Sequence, residues 1–271
     1  MANYSVLMPV YHREVPEFLH RSMESIFAQT VPTDDFVLVC DGPLTGALDA
    51  VIAQFQENYR TLRVIRLDTN RGLHHALNRG LSECRNELVA RMDSDDIALP
   101  CRCALQLREF EADPLLAIVG GAVEEFEQDP ANIVSRKVMP ESMDAIRRYA
   151  RRRNPFNHPT VMFRKSVVLA EGGYPDIPLH EDYALWVNLI RSGAKGCNLP
   201  DTLCLMRVSS GLYDRRGGWA YFKTAVRFRR HLYRTGFCSL WDLLIVSAAL
   251  AVVCLIPSGV RKTAYRKLLR K

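Results

Sequence analysis

Residues 87–96 read Glu-Leu-Val-Ala-Arg-Met-Asp-Ser-Asp-Asp, an apolar run that ends in a cluster of carboxylates. A short apolar run bounded by turn signals reads as a buried strand. Three earlier segments have the same form: Tyr4–Val10, Phe36–Cys40 and Leu62–Leu67. Helical spacing separates them, over residues 16–30, 44–58 and 72–84. The first hundred residues therefore alternate β-α-β-α-β-α-β. That order predicts an α/β fold with a mainly parallel, Rossmann-like sheet flanked by helices on both faces. Ligands of such sheets bind outside the carboxyl ends of the strands. Three polar clusters fall at those ends: Tyr11-His-Arg-Glu14, Asp41-Gly42 and Asp93-Ser-Asp95.

Downstream the pattern is less regular. Residues 100–113 and 141–153 read as helices. Residues 117–126 read as a strand broken by Gly120-Gly121. Short strands are expected at 160–163 and 203–208, a helix from His180 through Ile190, and another over 219–235. The expected division is one domain over 1–215, in halves of about 1–115 and 116–215, and then a tail over 216–271.

The chain has 271 residues, 48% of them hydrophobic and 24% charged, which is a globular composition rather than a disordered one. Its net charge of +6 is unevenly spread. Residues 1–200 are net acidic by five charges and residues 201–271 net basic by eleven. Such a tail suits an anionic surface. Within it, residues 243–256 are uncharged (LLIVSAALAVVCLI), with basic residues following. As a helix this run is about 21 Å long, short of the ~30 Å hydrocarbon core. It therefore reads as an interfacial or re-entrant helix with basic flanks. The eight cysteines show no zinc or redox spacing and read as reduced thiols. The N-terminus runs straight into a strand, which predicts no signal peptide.

Asp93 and Asp95 on one turn form a hard oxygen site suited to Mg²⁺ or Mn²⁺, completed by substrate phosphates and water. The same cluster also fits a solvated turn, with Asp96 capping the next helix. Asp41 is either a loop acid or a carboxylate that accepts a base N–H. Gly72 opens a helix where free N–H groups can meet an anion, and Asn70 fits a cap there. Glu181 and Asp182 stand where a loop meets an apolar helix: one can take a proton from a hydroxyl, the other can cap. His158 lines a site or ends a strand. Arg207, Arg215 and Arg216 are a diphosphate clamp or a solvated basic stretch. No P-loop, GxSxG, HExxH or GxGxxG is present.

In this order the pieces resemble the family 2 glycosyltransferases of the GT-A fold. The matching run is Val6-Leu-Met-Pro-Val-Tyr11, Asp41-Gly42, Asn70-x-Gly72, Ala76-x-Asn78-x-Gly80, Asp93-Ser-Asp95 and Glu181-Asp182-x-x-x-Trp186. The resemblance implies a nucleotide-sugar site made of Pro9, Val10, Tyr11, Glu14, Asp41, Arg71, Gly72, Asn78 and Asp93. It implies Asp95 and Asp93 as ligands of Mn²⁺ or Mg²⁺, and Arg207, Arg215 and Arg216 on the diphosphate. Asp182 would be the base of an inverting displacement, with Glu181, His158 and Trp186 positioning acceptor or base. Three departures stand out. His12 replaces the usual Asn, Leu77 stands where many members carry Arg, and the processive Gln-x-x-Arg-Trp motif is missing.

Residues 156–165, Gly172-Gly-Tyr174, Glu181–Trp186 and 210–218 resemble a narrower group, the bacterial transferases of exopolysaccharide and O-antigen assembly, including amylovoran-type galactosyltransferases. That likeness implies transfer of one sugar, galactose from UDP-Gal, onto a polyprenyl-diphosphate-linked saccharide. The place implied is the cytoplasmic face of a bacterial inner membrane, held peripherally or monotopically through residues 219–271. Three alternatives are another UDP- or dTDP-sugar donor, a non-catalytic membrane-bound scaffold, and nucleic-acid binding by the tail. The four carboxylates Asp41, Asp93, Asp95 and Asp182 argue against a scaffold. The helix-packing spacing of the tail's aromatics argues against nucleic acid.

Overall fold

The computed structural model describes residues 3–208 and 218–255. Four strands, β1 (Tyr4–Val10), β2 (Asp35–Cys40), β3 (Leu62–Arg66) and β4 (Leu88–Arg91), alternate with α1 (Pro16–Phe27), α2 (Gly46–Asn58) and α3 (Leu73–Glu83). They lie in the order β3-β2-β1-β4, all parallel. Every residue of β1, β2 and β4 is buried, because helices cover both faces.

Alternation along the strands sorts the core. Tyr4, Val6, Met8 and Val10 of β1 pack with Leu19, Met23 and Ile26 of α1 and Ile52 and Phe55 of α2. Leu7, Val37 and Val39 point to the other face, against Ala76, Leu77 and Leu81 of α3. That contact is close at Gly80, where a Cβ would lie 2.3 Å from Leu7 Cδ1 and 2.6 Å from Val39 Cγ2.

The second half adds β5 (Ile97–Ala98), α4 (Arg102–Ala112), β6 (Leu116–Phe126), β7 (Ile133–Lys137), α5 (Met143–Ala150), a 3₁₀ turn (His158–Thr160), β8 (Met162–Arg164), α6 (Lys165–Ala170), α7 (Glu181–Arg191) and β9 (Lys195–Arg207). The full sheet runs β3-β2-β1-β4-β8-β6-β9-β5, with β7 on β6. Here the expectation of a mainly parallel sheet fails. β8 is antiparallel to β4 and β6, β5 to β9 and β7 to β6, and only the β6–β9 pair is parallel. Apolar patterning reports burial and carries no strand direction. The predicted break at Gly120-Gly121 is also corrected: β6 runs through it, with the register against β9 shifting at Gly121/Ala122.

Two helices close the described chain, α8 (Gly218–Arg234) and α9 (Leu240–Leu255). Phe228 and Leu232 of α8 pack with Tyr183, Ala184 and Val187 on the outer side of α7. The buried Arg229 donates to the Tyr183 hydroxyl at 2.9 Å. Asp242 pairs with Arg152 at 2.5 Å and pins the start of α9 to the end of α5. Among the described residues no helix is long and apolar enough to cross a membrane. The uncharged run read from the sequence lies largely within α9, up to Leu255.

Candidate active site

Because β1, β2 and β4 are parallel and adjacent, their last residues deliver three loops to one edge of the sheet. Pro9 and Val10 are the buried end of β1, and Tyr11 emerges 38% exposed. Glu14 accepts from the Val15 N–H at 2.8 Å and, with its other oxygen, from the Ser94 hydroxyl. The first loop is thereby tied to the acidic turn.

Asp41, buried at the end of β2, accepts from the N–H of Arg71 at 2.9 Å and of Gly72 at 3.0 Å. It holds the loop that starts α3, where Gly72 has φ +94°. The Arg71 side chain is exposed. Asn78 is engaged elsewhere. Its amide donates to the Tyr174 carbonyl at 2.8 Å and accepts from the Tyr174 N–H at 2.7 Å. Both of its ends clamp α3 to the loop before α7. Gly173 makes that clamp fit, since a Cβ there would lie 2.4 Å from Asn78 Oδ1.

The acidic turn follows β4. Arg91, fully buried, forms a two-pronged ion pair with Asp93. Asp96, 2% exposed, accepts from the Arg207 N–H at 2.7 Å, and so the turn is bolted to β9. Asp96 therefore does not cap α4, whose start at Cys101 has no side-chain cap. The Arg207 guanidinium lies 3.7 Å from the ring centre of Phe18 and 4.5 Å from that of Phe126, and its Nε donates to the Asp95 carbonyl at 3.2 Å. One of its terminal nitrogens is buried and unpartnered.

Burial, with Asp93 and Glu14 nearby, pushes the Asp95 carboxyl up to about 7. Asp96 is driven upward for the same main reason. Three carboxylates on one turn, with Arg91 paired directly to Asp93 alone, make an oxygen donor set that fits a hard divalent cation. Asp93 is already occupied by Arg91, which leaves Asp95 as the available ligand. Among the described residues no three His, Cys, Asp or Glu form a metal cage. An ion here would rely on one or two carboxylates, water and phosphate oxygens, as Mg²⁺ commonly does.

The second half of the site stands at the start of α7. The Asp182 carboxylate accepts from Asn154 Nδ2 at 2.6 Å and from the Tyr183 N–H at 2.7 Å. Burial nevertheless holds its carboxyl above the ordinary range, against the pull of those bonds and of Arg91 and Lys137. Glu181 is raised too, chiefly by burial. Leu179, with φ 68°, adopts a left-handed conformation unusual for a non-glycine residue, two residues before Glu181.

His158 Nε2 lies 3.2 Å from the Tyr174 hydroxyl, and burial with Arg91 nearby keeps its imidazole neutral. Trp186 has no exposed surface, so it cannot touch an acceptor. It packs under His158, Tyr174, Phe156 and Phe163 and acts, at one remove, as their floor.

Arg91 joins the two halves. Its field acts on Asp93, Asp95 and Asp96 and also on His158, Tyr174, Glu181 and Asp182. Sequence reading passed over it, and over Asn154. The available signal was a charged residue inside an apolar strand, two positions before Asp93 and so on the same side of the chain. Arg215 and Arg216 lie outside the described residues.

Comparison with known proteins places this geometry. The family described as "Glycosyl transferase family 2" matches residues 5–171. The Escherichia coli UDP-Gal:alpha-D-GlcNAc-diphosphoundecaprenol beta-1,3-galactosyltransferase is 36% identical over 270 residues, covering 99% of this chain and 97% of that one. The amylovoran biosynthesis glycosyltransferase AmsE of Erwinia amylovora is 40% identical over 237 residues, covering 86% and 88%. Among solved structures, the mannosyltransferase PcManGT from Pyrobaculum calidifontis, in complex with GDP-Man and Mn²⁺, superposes with a TM-score of 0.63 at 20% identity, covering 100% of this chain and 81% of that one. That last likeness is one of fold.

Proposed function

The chain belongs to glycosyl transferase family 2, and from that membership we propose that it is an inverting, metal-dependent galactosyltransferase. Its donor is UDP-Gal and its acceptor a polyprenyl-diphosphate-linked saccharide of surface polysaccharide assembly. The observation that carries this reading is the pairing across Arg91: a cation-seeking carboxylate, Asp95, on one side, and a raised carboxylate, Asp182, on the other. The donor and acceptor are those in the name of the Escherichia coli relative.

Pro9, Val10, Tyr11 and Glu14 line the nucleotide side. Asp41 keeps a spare lone pair on each oxygen after holding Arg71 and Gly72, enough to accept a base N–H. Asp95, with Asp93 behind it, holds Mn²⁺ or Mg²⁺. A divalent ion there supplies positive charge to the diphosphate as it leaves. Arg207 adds its unpartnered nitrogen, the exposed Arg71 adds charge from the loop before α3, and Arg215 and Arg216, named from the sequence alone, complete the diphosphate set.

Asp182 takes the proton of the acceptor hydroxyl as that oxygen bonds to the anomeric carbon. The bond from that carbon to the diphosphate oxygen breaks, and UDP departs with the electron pair. A carboxylate raised by burial is a stronger base than one in water, which suits it to a hydroxyl. Neutral His158 and Glu181 orient the acceptor.

The protein works at the cytoplasmic face of the membrane, held peripherally through α8, α9 and the residues after them. The support is an exposed stripe of Trp241, Leu244, Ile245, Ala248 and Val252 on α9 and an exposed basic stripe of Lys223, Arg227, Arg230 and Arg234 on α8. The test is UDP release with Mn²⁺ and a synthetic GlcNAc-diphosphate-lipid, offered UDP-Gal, UDP-Glc, UDP-GalNAc and UDP-GlcNAc in turn. Acceptor-dependent turnover with UDP-Gal is expected. Turnover confined to another donor would overturn the choice of sugar, and none with any donor would overturn the reaction.

A further inference from the structure

A cleft of about 250 Å³ opens where α5, the end of α7 and the turn between α8 and α9 meet. Arg147, Arg151 and Arg191 line it, with Ile190, Gly236 and Phe237. It lies at the far end of α7 from Asp182, about 13 Å along the helix axis, and is separate from the site described above. The three guanidiniums are poorly neutralised. Arg147 has only the exposed Asp144 at 3.9 Å, and Arg151 and Arg191 have no carboxylate partner among the described residues.

Arginines near the ends of α5 and α7 complement the negative helix termini, and that accounts for part of their placement. It does not account for three of them turned onto one cleft with an apolar wall. The surroundings do. Phe237 and Gly236 belong to the turn that joins the basic stripe of α8 to the apolar stripe of α9. The Arg152–Asp242 ion pair fixes this turn against α5. A guanidinium cluster grips phosphate oxygens, and an apolar wall beside it suits an acyl chain or glycerol stem.

We infer that this cleft binds the phosphate of an anionic membrane lipid and sets how the catalytic body stands on the bilayer. The inference rests on the membrane part of the function proposed above. It assigns Arg147, Arg151 and Arg191 to lipid, none of them to donor or acceptor sugar.

The test uses the full chain and vesicles of phosphatidylcholine with or without phosphatidylglycerol. The variant Arg151→Gln/Arg191→Gln is set beside Arg60→Gln/Arg108→Gln, a pair of exposed arginines before β3 and on α4 with the same change in charge. Melting temperatures check that both remain folded. A basic residue at an anionic surface contributes about 1 kcal/mol, so the cleft pair should weaken binding to phosphatidylglycerol vesicles about thirtyfold. The distant pair should bind as the unaltered chain does, and UDP release from UDP-Gal in the presence of a water-soluble acceptor should be unchanged in both.

Equal weakening by the two pairs would mean general charge attraction and would overturn the inference. So would unchanged vesicle binding by the cleft pair alongside lost binding of inorganic phosphate by calorimetry, which would make the ligand a soluble phosphate. If the unaltered chain ignores phosphatidylglycerol vesicles, the membrane reading itself falls. If it binds them and the cleft pair binds equally well, only the cleft assignment falls.

Discussion

A guanidinium with no exposed surface must have its charge met inside the fold. Arg91 meets Asp93 directly, while its field reaches Asp182 on the other side. Arg91→Met leaves the Asp93 carboxylate without its partner, and because that carboxylate is partly exposed the loss of stability should be about 1–3 kcal/mol. Thermal and urea unfolding measure this, and adding Asp93→Asn to the same chain should return part of the loss. Asn154 offers a finer probe. Its bond to Asp182 favours the ionised carboxylate, so Asn154→Ala should raise that carboxyl further. The base must be ionised to work, and activity falls as pH drops through its pKa. The acid limb of the kcat/KM profile should therefore lie above the usual carboxylate range and move to higher pH in Asn154→Ala. A limb that stayed in place would remove Asp182 from the role of base. The places of Asp41, Asp93, Asp95 and Asp182 at strand and helix ends were legible in the sequence, because short polar clusters there stand out against apolar runs. Arg91 and Asn154 were not, because their roles come from partners that only the fold brings near. Asn78 was visible as a motif residue, yet its amide faces a backbone 96 positions away.

The parallel half of the sheet followed from the alternation of apolar runs with helical spacing. The mixed half did not, because β8 reaches β4 through a reversal that no periodicity encodes. β9 was seen only from residue 203, since Asn198-Leu-Pro-Asp201 reads as a turn and Pro200 cannot donate to a ladder. β5, β7 and α6 are short elements that neighbours stabilise more than their own sequence does. Gly80 shows an element fixed by one small residue. Ala there would bring a Cβ into Leu7 and Val39, and overpacking of this kind costs about 1–3 kcal/mol. Gly80→Ala should lower the melting temperature, and pairing it with Leu7→Val should recover part of the loss.

Across the whole molecule, charge sets the conditions for stability. The folded Asp95 carboxyl sits near 7, above its unfolded value, so the folded state binds that proton more tightly. The stabilising contribution of this group is full below the unfolded value and is lost as pH rises through about 7. In the proposed function a divalent ion would replace the proton as counter-charge. Mn²⁺ should therefore raise the melting temperature more at pH 8 than at pH 5, and Asp95→Ala should abolish that difference. The charge asymmetry of the chain was plain in the sequence, as was the uncharged run of the tail. The docking of α8 on α7 through Phe228, Leu232 and Arg229 was not, because it joins residues some 45 positions apart. The proposed function divides labour across Arg91, with Asp95 serving the donor and Asp182 the acceptor. Mn²⁺-dependent UDP binding by calorimetry, measured with acceptor-dependent UDP release on the same samples, tests it most directly. Asp182→Asn should bind UDP within about threefold of the unaltered chain yet lose at least about a hundredfold in release, whereas Asp95→Ala should lose both. Asp182→Asn turning over at the unaltered rate, or Asp95→Ala binding UDP with unchanged Mn²⁺ dependence, would contradict it.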